Sequence, residues 1–315
     1  MNIKQTVKSA VFYCLIISLA LNACTGKKRE NKNEELTIGV MSSMDYLPLA
    51  VADAQGYFEE EGANVNLQKF FSANDRDAAI QSGNLDGSII DYTGAALQRS
   101  GGVELYFTSQ CDGTFELIAG KHTNIKSIDE LKGKNVAIAQ NTVIDFCTAM
   151  ILESAGIEQD EVNKLEINKI PLRLEMLRNE KIDLTVLPDP FVTMAKDEGL
   201  PSIITMNDLG YHVTGIVFTK SAIDNKKEEI DAFYRAYNRA IADLQQLPLS
   251  DFQDVLVNEV GFPQPLVDKV ILPEYHPAQL PKQEDLDAVN RWLQEKQLLP
   301  VDFDINSLVN PDFVN

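Results

Sequence analysis

Carboxylates, hydroxyls and aromatic rings recur together where short apolar runs give way to loops. The groups are Ser43, Asp45 and Tyr46; Phe71 and Ser72; Asp91, Tyr92 and Thr93; Asn141 and Thr142; Asp189 and Phe191; and His212. A carboxylate accepts hydrogen bonds from amino groups, and an aromatic face stacks on a flat ring. The set suits non-covalent capture of a flat, hydrogen-bonding, cationic ring, of which an aminopyrimidine is one example. The same positions carry structural alternatives. Asp189 precedes Pro190, the pattern of a helix cap with proline in the first turn. Thr142 and Asp145 have the spacing of a capping box. Asp91 fits a cap as well as a contact, Phe71 fits a core, and His212 fits a hydrogen-bonded residue in a connecting strand.

Motifs for covalent or metal chemistry are missing. The sequence has no G-x-x-x-x-G-K-[ST] phosphate loop, no H-E-x-x-H, no paired C-x-x-C and no G-x-S-x-G elbow. His122, His212 and His276 lie far apart, which argues against a zinc site. The expectation is binding without catalytic residues, cofactor or metal.

The chain must then place those loops on one surface. Alternating apolar runs and turn residues predict strands at residues 37–41, 65–70, 88–91, 104–109, 115–120, 135–140, 166–170, 184–187, 203–206 and 213–219. Between them, a helix starts at Pro48 and stops at Gly56, and others are predicted at 74–82, 146–155 and 173–179. Beyond Thr219 the pattern is helical, at 228–246, 252–260 and 284–297. Strand–helix alternation predicts an α/β fold with mostly parallel sheets. Breaks at 112–114 and 207–215 divide it into two lobes with a ligand cleft between them. Lobe 1 takes residues 36–123 and 207–315, with 124–206 inserted as lobe 2, and Trp292 on the last helix is expected to dock onto lobe 1. In open α/β sheets ligands bind beyond the carboxyl ends of the strands, where the candidate residues lie.

The segment Pro48-Leu49-Ala50-Val51-Ala52, followed by Gln55-Gly56-Tyr57-Phe58 and Glu61-Gly62, resembles the PLxVAxxxGYFxxEG opening of type II periplasmic binding proteins. The similarity is to the branch for nitrate, sulfonate, taurine and thiamine-precursor uptake. Gly83-Asn84-Leu85-Asp86-Gly87 resembles its GxxDG motif, and the run from Ile128 to Ala137 resembles its DLKGKxVA motif. The resemblance covers residues 36–301. It implies a substrate-binding component of an ABC importer that closes on a small organic solute and delivers it to a permease and its ATPase. It also implies a monomer. An enzyme on the same scaffold, of pyrimidine-synthase or menaquinone-pathway type, and a surface solute sensor are the alternatives.

The first residues read as a lipoprotein signal. Lys4 and Lys8 are followed by an apolar run from Ala10 to Leu21, shorter than the ~20 residues of a membrane span. Leu21-Asn22-Ala23-Cys24 resembles a lipobox, with Asn22 in place of the usual small residue. It predicts cleavage after residue 23, acylation at Cys24, and a polar tether over 24–35 that holds the protein at the cell envelope. The formal net charge of −19 disfavours a nucleic-acid partner, which requires a basic surface. Cys111 and Cys147 remain as a pair that an oxidising compartment could bond.

Overall fold

The structure, a computed structural model, describes residues 34–314. The signal, Cys24 and most of the tether lie outside the described residues. Among the described residues no helix is long and apolar enough to cross a membrane.

Among the described residues ten strands form two five-stranded mixed sheets. The first has the order β2 (Asn64–Phe70), β1 (Glu35–Met41), β3 (Gly87–Asp91), β10 (Thr214–Thr219), β4 (Leu105–Gln110). β1 runs parallel to β2 and β3, with Ile38 opposite Leu67 and Gly87. β10 is antiparallel to both its neighbours. The second sheet has the order β7 (Asn163–Glu166), β6 (Asn135–Ile138), β8 (Leu184–Pro188), β5 (Phe115–Ala119), β9 (Ser202–Thr205). Here β6 is parallel to β7 and β8, and β5 is antiparallel to β8 and β9. β3 and β8, each flanked by strands on both sides, are buried along their whole length, including the polar side chains Ser88, Asp91 and Thr185.

The chain crosses between sheets twice, from β4 to β5 and from β9 to β10. β5 therefore pairs in the second sheet, although its residues fall within the stretch 36–123 expected in the first lobe. A strand's own pattern shows that it is half-buried or buried, and leaves its partner open.

Helices cover the sheets. α1 (Leu47–Ala54), α2 (Tyr57–Glu61), α3 (Ala73–Gln81) and α4 (Tyr92–Ser100) follow strands of the first sheet. α5 (Val143–Ser154), α6 (Ile170–Arg178) and α7 (Phe191–Asp197) follow strands of the second. α8 (Lys220–Asn225) leads into α9 (Lys227–Gln246), whose stripe of Ile230, Phe233, Tyr237, Ile241 and Leu244 recurs at helical spacing and is buried. Phe233 stacks on Phe58 of α2 at 5.5 Å between centroids. The last helix, α10 (Gln283–Glu295), packs against α4. Its Trp292 also meets Phe146 of α5 edge to face at 5.6 Å. The helix thus packs on the first half, while Trp292, expected to dock onto lobe 1, also meets a helix of the second.

Two local expectations shift. The strand predicted at 166–170 lies at Asn163–Glu166, and the helix after it starts at Ile170 with Pro171 in its first turn. The segment predicted as one helix at 252–260 breaks into 3₁₀, α and π turns and ends at Gly261, whose φ is 95°. Cys111 and Cys147 are buried and unbonded.

Candidate functional site

Three helices open at the carboxyl ends of strands, and each start is fixed by a local side chain. Ser72 caps α3 by accepting from the Asp75 amide, Asp91 caps α4 by accepting from the Gly94 amide, and Thr142 caps α5 by accepting from the Ile144 amide. Between these ends and the facing sheet lies a cavity of about 60 Å³. Its wall includes Ser43, Asp45 and Asp91 from the first half and Thr142, Asn168 and Arg173 from the second. A larger, more polar space of about 630 Å³ lies beside it, walled by Thr114, Glu116, Asp189, Lys196, Lys269 and Glu274. Lys196 pairs with Glu116 at 2.6 Å across that wall, and Lys269 pairs with Asp197.

Asp45 is buried at the crossing between sheets. Its Oδ1 accepts the Gly113 amide at 2.7 Å, and its Oδ2 accepts the Thr214 hydroxyl at 2.9 Å. Gly113 lies in the first crossing and Thr214 opens β10 directly after the second, so one carboxylate ties both to the loop after β1. Burial pushes the Asp45 carboxyl up to about 6, against the two hydrogen bonds, which favour its charged form.

Asp91 caps α4 and also forms a buried ion pair with Arg76 of α3 at 3.0 Å; the Thr93 hydroxyl donates to it as well. Arg76 also reaches Asp77 at 2.8 Å and the Ile89 carbonyl at 3.4 Å. Arg173 differs. Its residue exposure is 0 %, and its Nη1 donates to the carbonyls of Ile167 and Asn168 at 3.0 and 3.3 Å. Its Nε and Nη2 have no partner among the described residues. Burial pulls the Arg173 guanidinium down to about 10, so it stays cationic near neutral pH.

Ser43, Asp45, Asp91 and Thr142 thus come together on the smaller cavity, and Asp189 lies on the larger one. Asp189 accepts the Thr193 amide at 2.8 Å in the first turn of α7, and burial raises its carboxyl above the usual range. The remaining predicted residues sit elsewhere. Tyr46 is buried, its hydroxyl donating to Glu259 at 3.2 Å. Tyr92 packs edge to face on Phe107 in the core, and Phe191 packs beside Val192. Phe71 is 64 % exposed and walls neither cavity, where a ligand-stacking or core ring was expected. Asn141 accepts from Lys296 at 2.9 Å. His212 lies 3.6 Å from Asp285. The aromatic wall that a stacked ring needs is therefore not assembled at the smaller cavity; Phe115 is its one aromatic side chain.

Arg76, Arg173 and Thr214 were not foreseen as wall residues. Arg173 carried a signal: it stands one and four residues before Leu174 and Leu177, on the apolar stripe of a helix. Among the described residues no group of three or more His, Cys, Asp and Glu is placed to hold a metal ion.

The family profile described as "NMT1/THI5 like" matches residues 43–250 of the 315. The chain belongs to that family. A putative binding protein, YtlA, of Bacillus subtilis is 28% identical over 125 residues, a stretch covering 38% of this chain and 36% of that relative. The chain thus spans about a third of the length of the curated relative it matches. The alkanesulfonate-binding protein SsuA of Xanthomonas axonopodis, solved with MOPS bound, superposes with a TM-score of 0.76 at 15% identity over 88% of this chain and 98% of that one. A ligand-binding component of an ABC-type import system from Staphylococcus aureus, solved with zinc bound, superposes with a TM-score of 0.75 at 14% identity over 89% of this chain and 97% of that one. This NMT1/THI5-like chain has the two-lobed α/β fold of the periplasmic binding proteins.

Proposed function

We propose that this NMT1/THI5-like chain is the solute-binding component of an ABC importer, capturing a small organic solute between its two sheets and presenting it to a membrane permease. The observation that carries the reading is the cavity walled by both sheets at their strand ends, beside the only two chain crossings between them among the described residues. A body joined by two short connections closes by changing a few dihedrals there, and burying a solute rewards closure. Residues 111–114 and 206–213 are the hinge in this reading. The import-system neighbour and the binding-protein relative support the assignment. Acylation at Cys24 would keep the protein at the envelope surface, within reach of a permease. A thiamine-precursor-like aminopyrimidine is the solute that the loop residues suggested, and its ring would have to occupy the larger, adjoining space.

Native mass spectrometry of protein purified from cells tests the function, followed by incubation of the released molecule with fresh protein. The expected result is a small molecule held at one per chain and recovered unchanged. Conversion to a new product would place the chain among enzymes on this scaffold.

A further inference from the structure

Three buried carboxylates stand at the two chain crossings. Asp45 reaches both, Asp112 lies in the first, and Asp285 of α10 faces the second. Among the described residues no lysine or arginine pairs with any of them. Two of the chain's three histidines meet them instead. His276 holds Asp112 twice, its amide donating to Oδ2 at 2.8 Å and its Nδ1 lying 3.3 Å from Oδ1. His212, in the second crossing, sets its Nδ1 3.6 Å from Asp285 Oδ2, and neither atom has a hydrogen-bond partner among the described residues.

Each pair bolts a crossing to the first half. Asp112 and His212 lie on the segments whose dihedrals change when the halves move. His276 and Asp285 lie on chain fixed to the first half. The Tyr275 hydroxyl donates to the Met44 carbonyl at 2.8 Å, the Gln110 amide donates to the Gln279 carbonyl at 2.7 Å, and α10 packs on α4.

A buried carboxylate without a cation is unfavourable, because its lost hydration is not replaced. Imidazole is the side chain that supplies or withdraws a positive charge between about pH 5 and 8. Neutral histidines leave Asp112 and Asp285 without a counter-ion, and protonated ones give each an ion pair in this arrangement of the crossings. His276 also faces Glu274, 3.9 Å from its Nε2. His212 also faces Asp45, and its charged form favours the Asp45 carboxylate, which accepts from Gly113 and Thr214. Asp45, raised by burial to about 6, takes up its own proton in the same range and opposes that effect. Tyr92, Cys111, Tyr237 and Tyr275 face the same carboxylates, and burial keeps them protonated throughout.

We propose that the crossings form a proton-sensitive hinge, in which protonation of His276 and His212 fastens each crossing to the first half and acid holds the two halves in the arrangement that walls the cavity. Its bearing on solute capture rests on the solute-binding reading above; the fastening itself does not.

Hydrogen exchange of the full chain without solute tests it, with rates corrected for the intrinsic pH dependence of exchange. From about pH 7.5 to about 5.5, wild-type protection should rise about fivefold at the Cys111 and Gly113 amides and at the Leu209 and Tyr211 amides, the low end of a typical coupling. His276→Asn keeps a neutral amide beside Asp112 and should lose the rise at the first crossing. His212→Asn should lose it at the second. If His212→Asn fails to fold, Asp285→Asn replaces it and should lose the same rise. Repeated on Asp45→Asn, which removes that carboxyl's own titration, the losses should persist. A wild type whose protection does not rise overturns the proposal, and so does a rise that survives the histidine substitutions. The solute-binding reading is scored separately: a hinge indifferent to pH leaves one solute per chain by native mass spectrometry standing, and a chain that holds no solute can still show the pH-dependent protection.

Discussion

Asp45 shows how one side chain can serve position and charge at once. Its two hydrogen bonds reach Gly113 in the first crossing and Thr214 at the start of β10, and burial raises its carboxyl from 3.8 to about 6. A raised carboxyl means that the folded state holds the proton more tightly than the unfolded chain between pH 4 and 6. Stability from this group is therefore greatest in acid and declines as pH rises through that window. Asp45→Asn keeps an oxygen for the Gly113 amide and removes the titration. The variant should gain on wild type by about 2 kcal/mol between pH 4 and pH 7, since each unit of the shift corresponds to about 1.4 kcal/mol and part of it is already lost at pH 4. Urea unfolding at the two pH values measures it, and an unchanging difference would show that Asp45 does not titrate there. Gly113 faces the same carboxylate. A Cβ at that position would stand 2.4 Å from Asp45 Oδ1 and 3.1 Å from its backbone nitrogen. Gly113→Ala should cost about 2 kcal/mol, within the range for overpacking, and should leave the far strand β2 unaffected in hydrogen exchange.

At the level of elements, α5 is held by a charge cluster at its start. Asp145, 1 % exposed at its side chain, accepts Lys164 at 2.9 Å and Lys296 at 2.5 Å. Lys164 and Lys296 together hold the Asp145 carboxyl below the usual range despite its burial. Lys296 follows α10, so the pair ties the last helix to the second half of the molecule. Both lysines are about a quarter exposed and can rehydrate when the carboxylate is removed. Asp145→Ala should therefore cost about 2 kcal/mol, less than the 3–5 kcal/mol of a fully buried broken pair. A lowered carboxyl adds stability above its unfolded value and loses it in acid, so the variant's deficit should shrink as pH falls from 6 toward 3. Chemical denaturation across that range checks both size and sign; a deficit that stays constant would mean packing alone is lost.

Across the whole molecule, one apolar cluster runs through both halves. It joins Tyr92 and Phe107 of the first sheet's side to Phe115 and Phe146 of the second, and it includes Trp292. Trp292→Ala should destabilise by about 3–5 kcal/mol, the usual cost of deleting a buried large aromatic. Because α10 touches both α4 and Phe146, hydrogen exchange should accelerate in α4 and α5 together. Acceleration confined to α10 would show that the halves hold together without it.

Periodicity and punctuation made most elements legible. Pro48 and Gly56 bracketed α1, alternating Val65 and Leu67 marked β2, and the long stripe from Ile230 to Leu244 marked α9, because local burial rhythm is written in the order of residues. The two-lobed architecture was legible in the alternation of strands and helices, broken near residues 112–114 and 207–215. Partnership was not. That β5 joins the second sheet, that Trp292 also meets a helix of the second half, and that Tyr46 and Tyr92 turn into cores while Asp45 faces the cavity depend on contacts between residues far apart in sequence. Arg173, buried with carbonyl partners on one nitrogen only among the described residues, is the sharpest case. The chain shows only an arginine on an apolar stripe; which groups meet it is decided by the packing of other elements, and tertiary structure alone reveals that carbonyls of residues 167 and 168 do, with the Glu166 charge nearby and no carboxylate in contact among the described residues.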